Sequence, residues 1–178
     1  MKYILILAIL LTLLKGRNPL TFIYNVKFQW PLVILISFGV QIALAFIALE
    51  SKEKFHLILI YTFFGIIVGL VKNYKIPGVS WIVMGAVFNL LALLLNDGLM
   101  PVDEHALKQT GQEVASFETD SRHQLMTQAT KFWFIGDWIP VVKYVLSPGD
   151  FLVAIGIILL IYRNSSIMKI KVKKNESY

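Results

Sequence analysis

Five apolar blocks limit what this chain can fold into: residues 3–14, 31–49, 57–71, 79–95 and 151–162. A helix needs about 20 residues to cross a bilayer core of roughly 30 Å. The second and fourth blocks nearly meet that length alone. The third approaches it with Phe55 and Lys72 added, and the last if its helix continues past Arg163. Composition points the same way. Hydrophobic residues make up 57% of the 178, and charged residues only 16%, against about a quarter in soluble domains. The expectation is an all-α membrane protein, one integral domain over 1–178. It is read as a bundle of about five transmembrane helices at 3–14, 31–49, 55–72, 79–96 and 149–163. An outer, partly helical extracytoplasmic loop (99–149) and a basic cytoplasmic tail (164–178) complete it.

Charge sets the orientation within that reading, because lysine and arginine collect on the cytoplasmic side. With the tail inside, Lys15, Arg17, Lys27, Lys72, Lys75, Arg163, Lys169, Lys171, Lys173 and Lys174 fall inside. Lys2, Lys52, Lys54, Lys108, Arg122, Lys131 and Lys143 fall outside. The N-terminus is then out and the C-terminus in. Lys15 and Arg17 follow the first block where a small-residue cleavage site would stand, so that block reads as a retained helix. The net charge of +6 is explained by these flanking cations, and no nucleic-acid partner is expected. The expected partners are a lipid bilayer and a membrane protein or a second copy of the chain. Without cysteine, disulfides and thiolate chemistry are excluded.

The loop carries eight of the eleven acids when its edge residues Asp97 and Asp150 are included. Segment 103–117 is weakly amphipathic. Segment 121–134 is more clearly so, with Leu125, Met126, Ala129, Phe132 and Trp133 on one helical face. The second is expected as a helix lying on the outer surface or capping the bundle from outside, and the apolar stretch 138–146 as a buried coil or partial dip.

Polar residues inside apolar blocks turn toward other helices or a cavity. Gln41 lies mid-block in the second, and Asn89 mid-block in the fourth with Asn96 seven residues on. They either bond across helices or line a polar cleft. Gly65 and Gly69 permit close helix packing. Ser147-Pro148-Gly149-Asp150 has the form of a helix start: a serine cap, proline in first position, and an acid three residues after the cap. Asp137, after Gly136, reads as a turn residue. The candidate ligand or cleft residues are therefore Gln41, Asn89, Asn96, Asp97, His123, Asp137 and Asp150. No HExxH, EF-hand or phosphate-loop spacing is present, so no metal and no cofactor are expected.

The segments "KGR", "KNYKIPG" and "GAVFNLLALLLNDGLMPV", with Gln41 between the first two, resemble a family of small bacterial integral membrane proteins of unknown function. That family tends to carry Asn-Gly-Gly-x-Met-Pro-Val, matched here by Asn96 to Val102 except that Asp97 replaces a glycine. Its His and Thr-x-x-x-x-Gly-Asp-x-x-Pro features are met by His123 and, with a shifted threonine, by 130–140. Its Ser-x-Gly-Asp is met by Ser147, Gly149 and Asp150. The resemblance implies a bacterial membrane protein and supplies no activity. Two membrane-edge aspartates also resemble the layout of lipoprotein signal peptidase, although neither motif of that family is present.

Two functions follow. One is a non-enzymatic component for transport, assembly or binding, with an outward-facing polar cleft. The alternative is a membrane-embedded, aspartic-protease-like hydrolase with Asp137 and Asp150 as its catalytic pair. The second requires both carboxylates to face one cavity, roughly 5–7 Å apart.

Overall fold

The computed structural model describes residues 2–50, 56–114 and 122–168. Each apolar block forms a helix: α1 (Lys2–Leu14), α3 (Pro31–Glu50), α4 (His56–Val71), α5 (Val79–Leu95) and α7 (Pro148–Asn164). Two short helices, α2 (Phe22–Asn25) and α6 (Glu104–Gln109), lie in the connections. The expected transmembrane bundle is not what forms. Among the described residues, no helix is long and apolar enough to cross a membrane. Helices α1, α4, α5 and α7 have 13, 16, 17 and 17 residues. At 1.5 Å per residue they reach only about 20–26 Å, short of the roughly 30 Å of a hydrocarbon core. The longest, α3, carries Ser37 and Gln41 within its 20 residues and ends at Glu50.

The arrangement also differs from a closed bundle. The main contacts run α1 to α7, α7 to α5, α5 to α4 and α4 to α3. The helices therefore form a row in the spatial order α1-α7-α5-α4-α3. A row leaves two broad faces open, whereas a soluble domain normally closes its apolar faces between packed layers. Large apolar side chains accordingly remain exposed along α3 and α4, among them Leu32, Leu35, Phe46, Tyr61 and Phe64.

The tightest junction in the row is α5 against α7. Gly85 faces the Gly149 carbonyl and Gly78 the Gly156 carbonyl, and in each case a Cβ would collide with partner backbone. Glycines seven residues apart on each of two antiparallel helices thus form one seam. Gly65 and Gly69 act similarly but less tightly, lying against Ser37 and Ile34 of α3.

The fold is not all-α, because three two-stranded sheets accompany the helices. Strand β1 (Arg17–Asn18) pairs antiparallel with β6 (Ser166–Ile167), tying the end of α1 to the end of α7. Arg17 reinforces this tie by donating to the Ser165 carbonyl at 2.7 Å and lying over the Tyr162 ring. Strand β2 (Met100–Val102) pairs in parallel with β3 (His123–Leu125). Strands β4 (Ile139–Val141) and β5 (Tyr144–Leu146) form a hairpin.

These strands overturn the surface helix expected at 121–134. Its described part is β3, a turn, and a 3₁₀ turn at Trp133–Ile135. Hydrogen bonds to β2 hold it extended, with Met100 N donating to Arg122 O and Met126 N to Val102 O. The stretch read as a coil or dip is the β4–β5 hairpin. Within the weakly amphipathic segment 103–117, Glu104–Gln109 forms α6, capped by Asp103 through Ala106 N. Phe55, Phe117, Ser121, Lys52, Lys54 and the tail lysines from Lys169 onward lie outside the described residues.

A small core sits where α5 meets the β2 region. Ala92, Leu93, Met100 and Ile135 are buried together, with Leu59, Phe63 and Leu95 packed against them. This core forms the apolar floor of the site.

Candidate functional site: two carboxyls lining one cavity

Helix start chemistry places the first carboxylate. Ser147 is the N-cap of α7 and Pro148 takes the first turn. Ser147 Oγ accepts from Asp150 N at 3.0 Å, and Ser147 N donates back to Asp150 Oδ2 at 3.2 Å. This reciprocal capping satisfies two otherwise orphaned donors. The same two residues also reach across the glycine seam to α5. Asn89 Nδ2 donates to Asp150 Oδ1 at 3.0 Å, and Ser147 Oγ donates to Asn89 Oδ1 at 2.9 Å. Gly149 makes this possible, since a Cβ there would collide with Asn89 Oδ1. Asp150 is thus both a cap and part of an inter-helix network.

The second carboxylate is placed by a strand. Asp137 N donates to Pro101 O and Asp103 N donates to Asp137 O, both at 2.8 Å. Asp137 therefore lies along one edge of β2, with His123 of β3 along the other. Its side chain is buried, and His123 Nε2 lies 4.0 Å from Oδ2. Oδ1 has no hydrogen-bond partner among the described residues. Burial first, and then the negative charge of Asp150, raise the Asp137 carboxyl well above its ordinary value of 3.8. Both causes penalise the ionised form.

Asp137 and Asp150 line one cavity of about 210 Å³, together with Gln41, Asn89, Arg122 and His123. Its apolar walls are Leu59, Phe63, Leu93 and Met100. Arg122, His123 and Asp137 also line a second cavity of about 270 Å³ toward Leu107 and Tyr144, so these three residues stand between two spaces. Gln41 reaches the first cavity from α3, and its buried Nε2 has no partner among the described residues.

Five of the seven residues singled out in the sequence meet here. The other two do not. Asn96 is buried at the end of α5, where its Oδ1 accepts from Lys131 N and its Nδ2 donates to Ala92 O and Lys131 O. It anchors the loop. Asp97 takes a left-handed conformation (φ 56°) beside Gly98, whose N–H returns to Leu93 O. It ends the helix, and aspartate is among the few residues that adopt this conformation readily. Arg122 was missed as a site residue, since the chain counted it only as a loop cation. Its one signal was adjacency to His123. No group of three His, Asp or Glu among the described residues could hold a metal ion.

Residues 25–162 match a family of unknown function, DUF5317. The chain belongs to that family. The matched region contains the entire cavity lining. The chain is also similar to an uncharacterized protein of Thermotoga maritima, 29% identical over 164 residues, covering 88% of this chain and 86% of the relative. No solved structure matches.

Proposed function

We propose that this DUF5317 protein is a non-enzymatic binding component whose cavity holds a small polar ligand. The observation that carries the reading is Asp137 Oδ1, a buried acceptor with no hydrogen-bond partner among the described residues. Leaving such a group unpaired costs about 1–3 kcal/mol. A ligand N–H or O–H in the cavity supplies the missing bond. Gln41 Nε2, also buried and without a partner among the described residues, calls for an acceptor on the same ligand. A hydroxyl or amino compound small enough for about 210 Å³ meets both needs. The apolar walls suit a short hydrocarbon portion.

Membrane location belongs to the same proposal. It is supported by the open apolar faces of the helix row, which exceed what a monomer in water normally exposes. We place the protein against the lipid of a bacterial cytoplasmic membrane.

The test is calorimetric titration of the purified chain with ethanolamine, glycerol and short diols. Binding is expected at one site, weakened at least tenfold in Asp137→Leu and in Gln41→Leu. Undiminished binding by both variants sinks the reading.

A second reading, hydrolysis, is favoured by one observation: Asp137 and Asp150 line the same cavity. Two carboxyl groups that share a proton can activate water. In that case Asp137→Asn and Asp150→Asn each abolish turnover of a peptide substrate while ligand binding persists.

A further inference from the structure

A third pocket lies away from the carboxyl pair, where the chain turns from α4 toward α5. Lys27, Gln29, Lys72, Asn73, Tyr74, Lys75 and Ile76 line an open pocket of about 320 Å³. Three lysines line it and no acid does. We propose that this pocket binds a phosphate group, either the headgroup of an anionic phospholipid or a free phosphate ester.

Its frame is fixed by one buried side chain. Asn73 accepts from Gln29 N at 2.7 Å and donates to Gln29 O at 2.8 Å, and it also donates to Gly69 O at 2.7 Å. This clamp holds the segment carrying Lys27 against the turn that follows α4, which carries Lys72. Two lysines are further oriented by aromatic faces, Lys72 over Trp30 (4.9 Å) and Lys75 over Tyr74 (5.9 Å). Cation–π contacts of this kind position an ammonium without neutralising it.

The plain alternative is that these cations complement the negative end of the α4 dipole. That accounts for Lys72. It does not account for Lys27, which comes from a different segment and is brought in by the Asn73 clamp. Three lysines line the pocket with no carboxylate among the lining residues, and a bound anion offsets their like charge. Lysine serves as a point-charge ligand for phosphate. Beside the pocket, α3 begins at Pro31 with Leu32, Leu35 and Ile36 exposed, an apolar track on which an acyl chain can lie.

The experiment uses the full chain in neutral detergent. Its probes are glycerol phosphate in solution, and vesicles of phosphatidylglycerol or phosphatidylcholine. Each lysine near an anionic surface contributes about fivefold in affinity, so Lys27→Gln, Lys72→Gln and Lys75→Gln together should weaken phosphatidylglycerol binding roughly a hundredfold at low salt. A charge-matched control removes Lys108, Lys131 and Lys143 instead and should lose less than about threefold. The triple arginine variant retains the charge and should retain binding, which separates site loss from misfolding. Saturable binding of glycerol phosphate that depends on the same lysines identifies a free phosphate ester as the ligand. Binding to phosphatidylglycerol vesicles alone identifies the lipid headgroup. Equal losses in the triple glutamine variant and the control, or no binding of either phosphate probe, overturn the proposal. Because Asp137 and Gln41 lie outside this pocket, failure here is separable from failure of the cavity reading.

Discussion

Asp137 stores a pH dependence that follows from where its backbone is pinned. Its carboxyl is raised by burial and by Asp150, so the folded chain holds a proton that the unfolded chain has released. The unfolded state binds fewer protons above about pH 4, and stability therefore falls as pH rises until the folded group has itself ionised. Asp137→Asn removes this penalty. We expect thermal midpoints of variant and native chain to agree most closely at and below about pH 4, with the variant gaining as pH rises above it until the folded carboxyl has ionised. A constant difference at all pH values would mean that Asp137 is not held protonated. His123, Arg122 and Asp150 share its cavity and remain in the variant, so the comparison isolates the one carboxyl. Ser147 carries a different load. Its hydroxyl accepts from Asp150 N and donates to Asn89, so Ser147→Ala removes a cap and leaves a half-buried amide oxygen without its donor. Denaturant unfolding should show a loss of about 2–3 kcal/mol, more than a cap alone.

At the level of elements, the α5–α7 seam decides whether the site exists. Gly85→Ala drives a methyl into the Gly149 carbonyl and Val153, and Gly156→Ala meets Ile82 in the same way. Each should cost at least about 1–3 kcal/mol as overpacking, because the obstacle is backbone rather than a movable side chain. Each should also break the Asn89–Asp150 bond. Gly39, in the middle of α3 with nothing within 4 Å of a built Cβ, is the control. Gly39→Ala should stabilise by about 0.5–1 kcal/mol. Equal effects at Gly39 and Gly85 would remove the seam from the account. The helices themselves were legible, since each apolar block supplies one, and so was the α7 cap from Ser147, Pro148 and Asp150. The seam was written as glycines seven apart in two segments, but only the fold shows that the segments are partners. The β4–β5 hairpin was illegible for a local reason. Its turn is Val142-Lys143, with Val142 at φ 55°, where a hairpin of this length favours asparagine or glycine. Strand β3 was hidden because Leu125, Met126 and Ala129 also satisfy a helical period, and pairing with β2 overrode it. His123 and Asp137 could be named as candidates from the sequence, but not as neighbours, because β2 alone brings them together.

For the whole molecule, the helix row sets the problem of what covers its faces. Composition suggested lipid on every side of a bundle with spanning helices, and helix length overturned that arrangement without removing the apolar surface. Leu32, Leu35, Phe46, Tyr61 and Phe64 are each at least 60% exposed on neighbouring helices α3 and α4. Covering a large apolar side chain is worth about 1.5–3 kcal/mol, so five together reach about 8–15 kcal/mol, enough to offset a cost of association of about 4–15 kcal/mol. Two covers compete: acyl chains and a second copy of the chain. Charge separates neither, but salt and dilution do. An apolar lipid contact persists at 1 M salt, where the Debye length is about 3 Å and headgroup attraction is screened. We therefore expect the chain to float with phosphatidylcholine vesicles in a density gradient at 1 M salt. Replacing Leu35, Phe46 and Phe64 with glutamine should reduce the floating fraction at least tenfold while leaving the cavity ligand bound. A chain that stays at the bottom of the gradient as a dimer of constant mass on dilution has covered these faces with itself, and lipid is then not its partner.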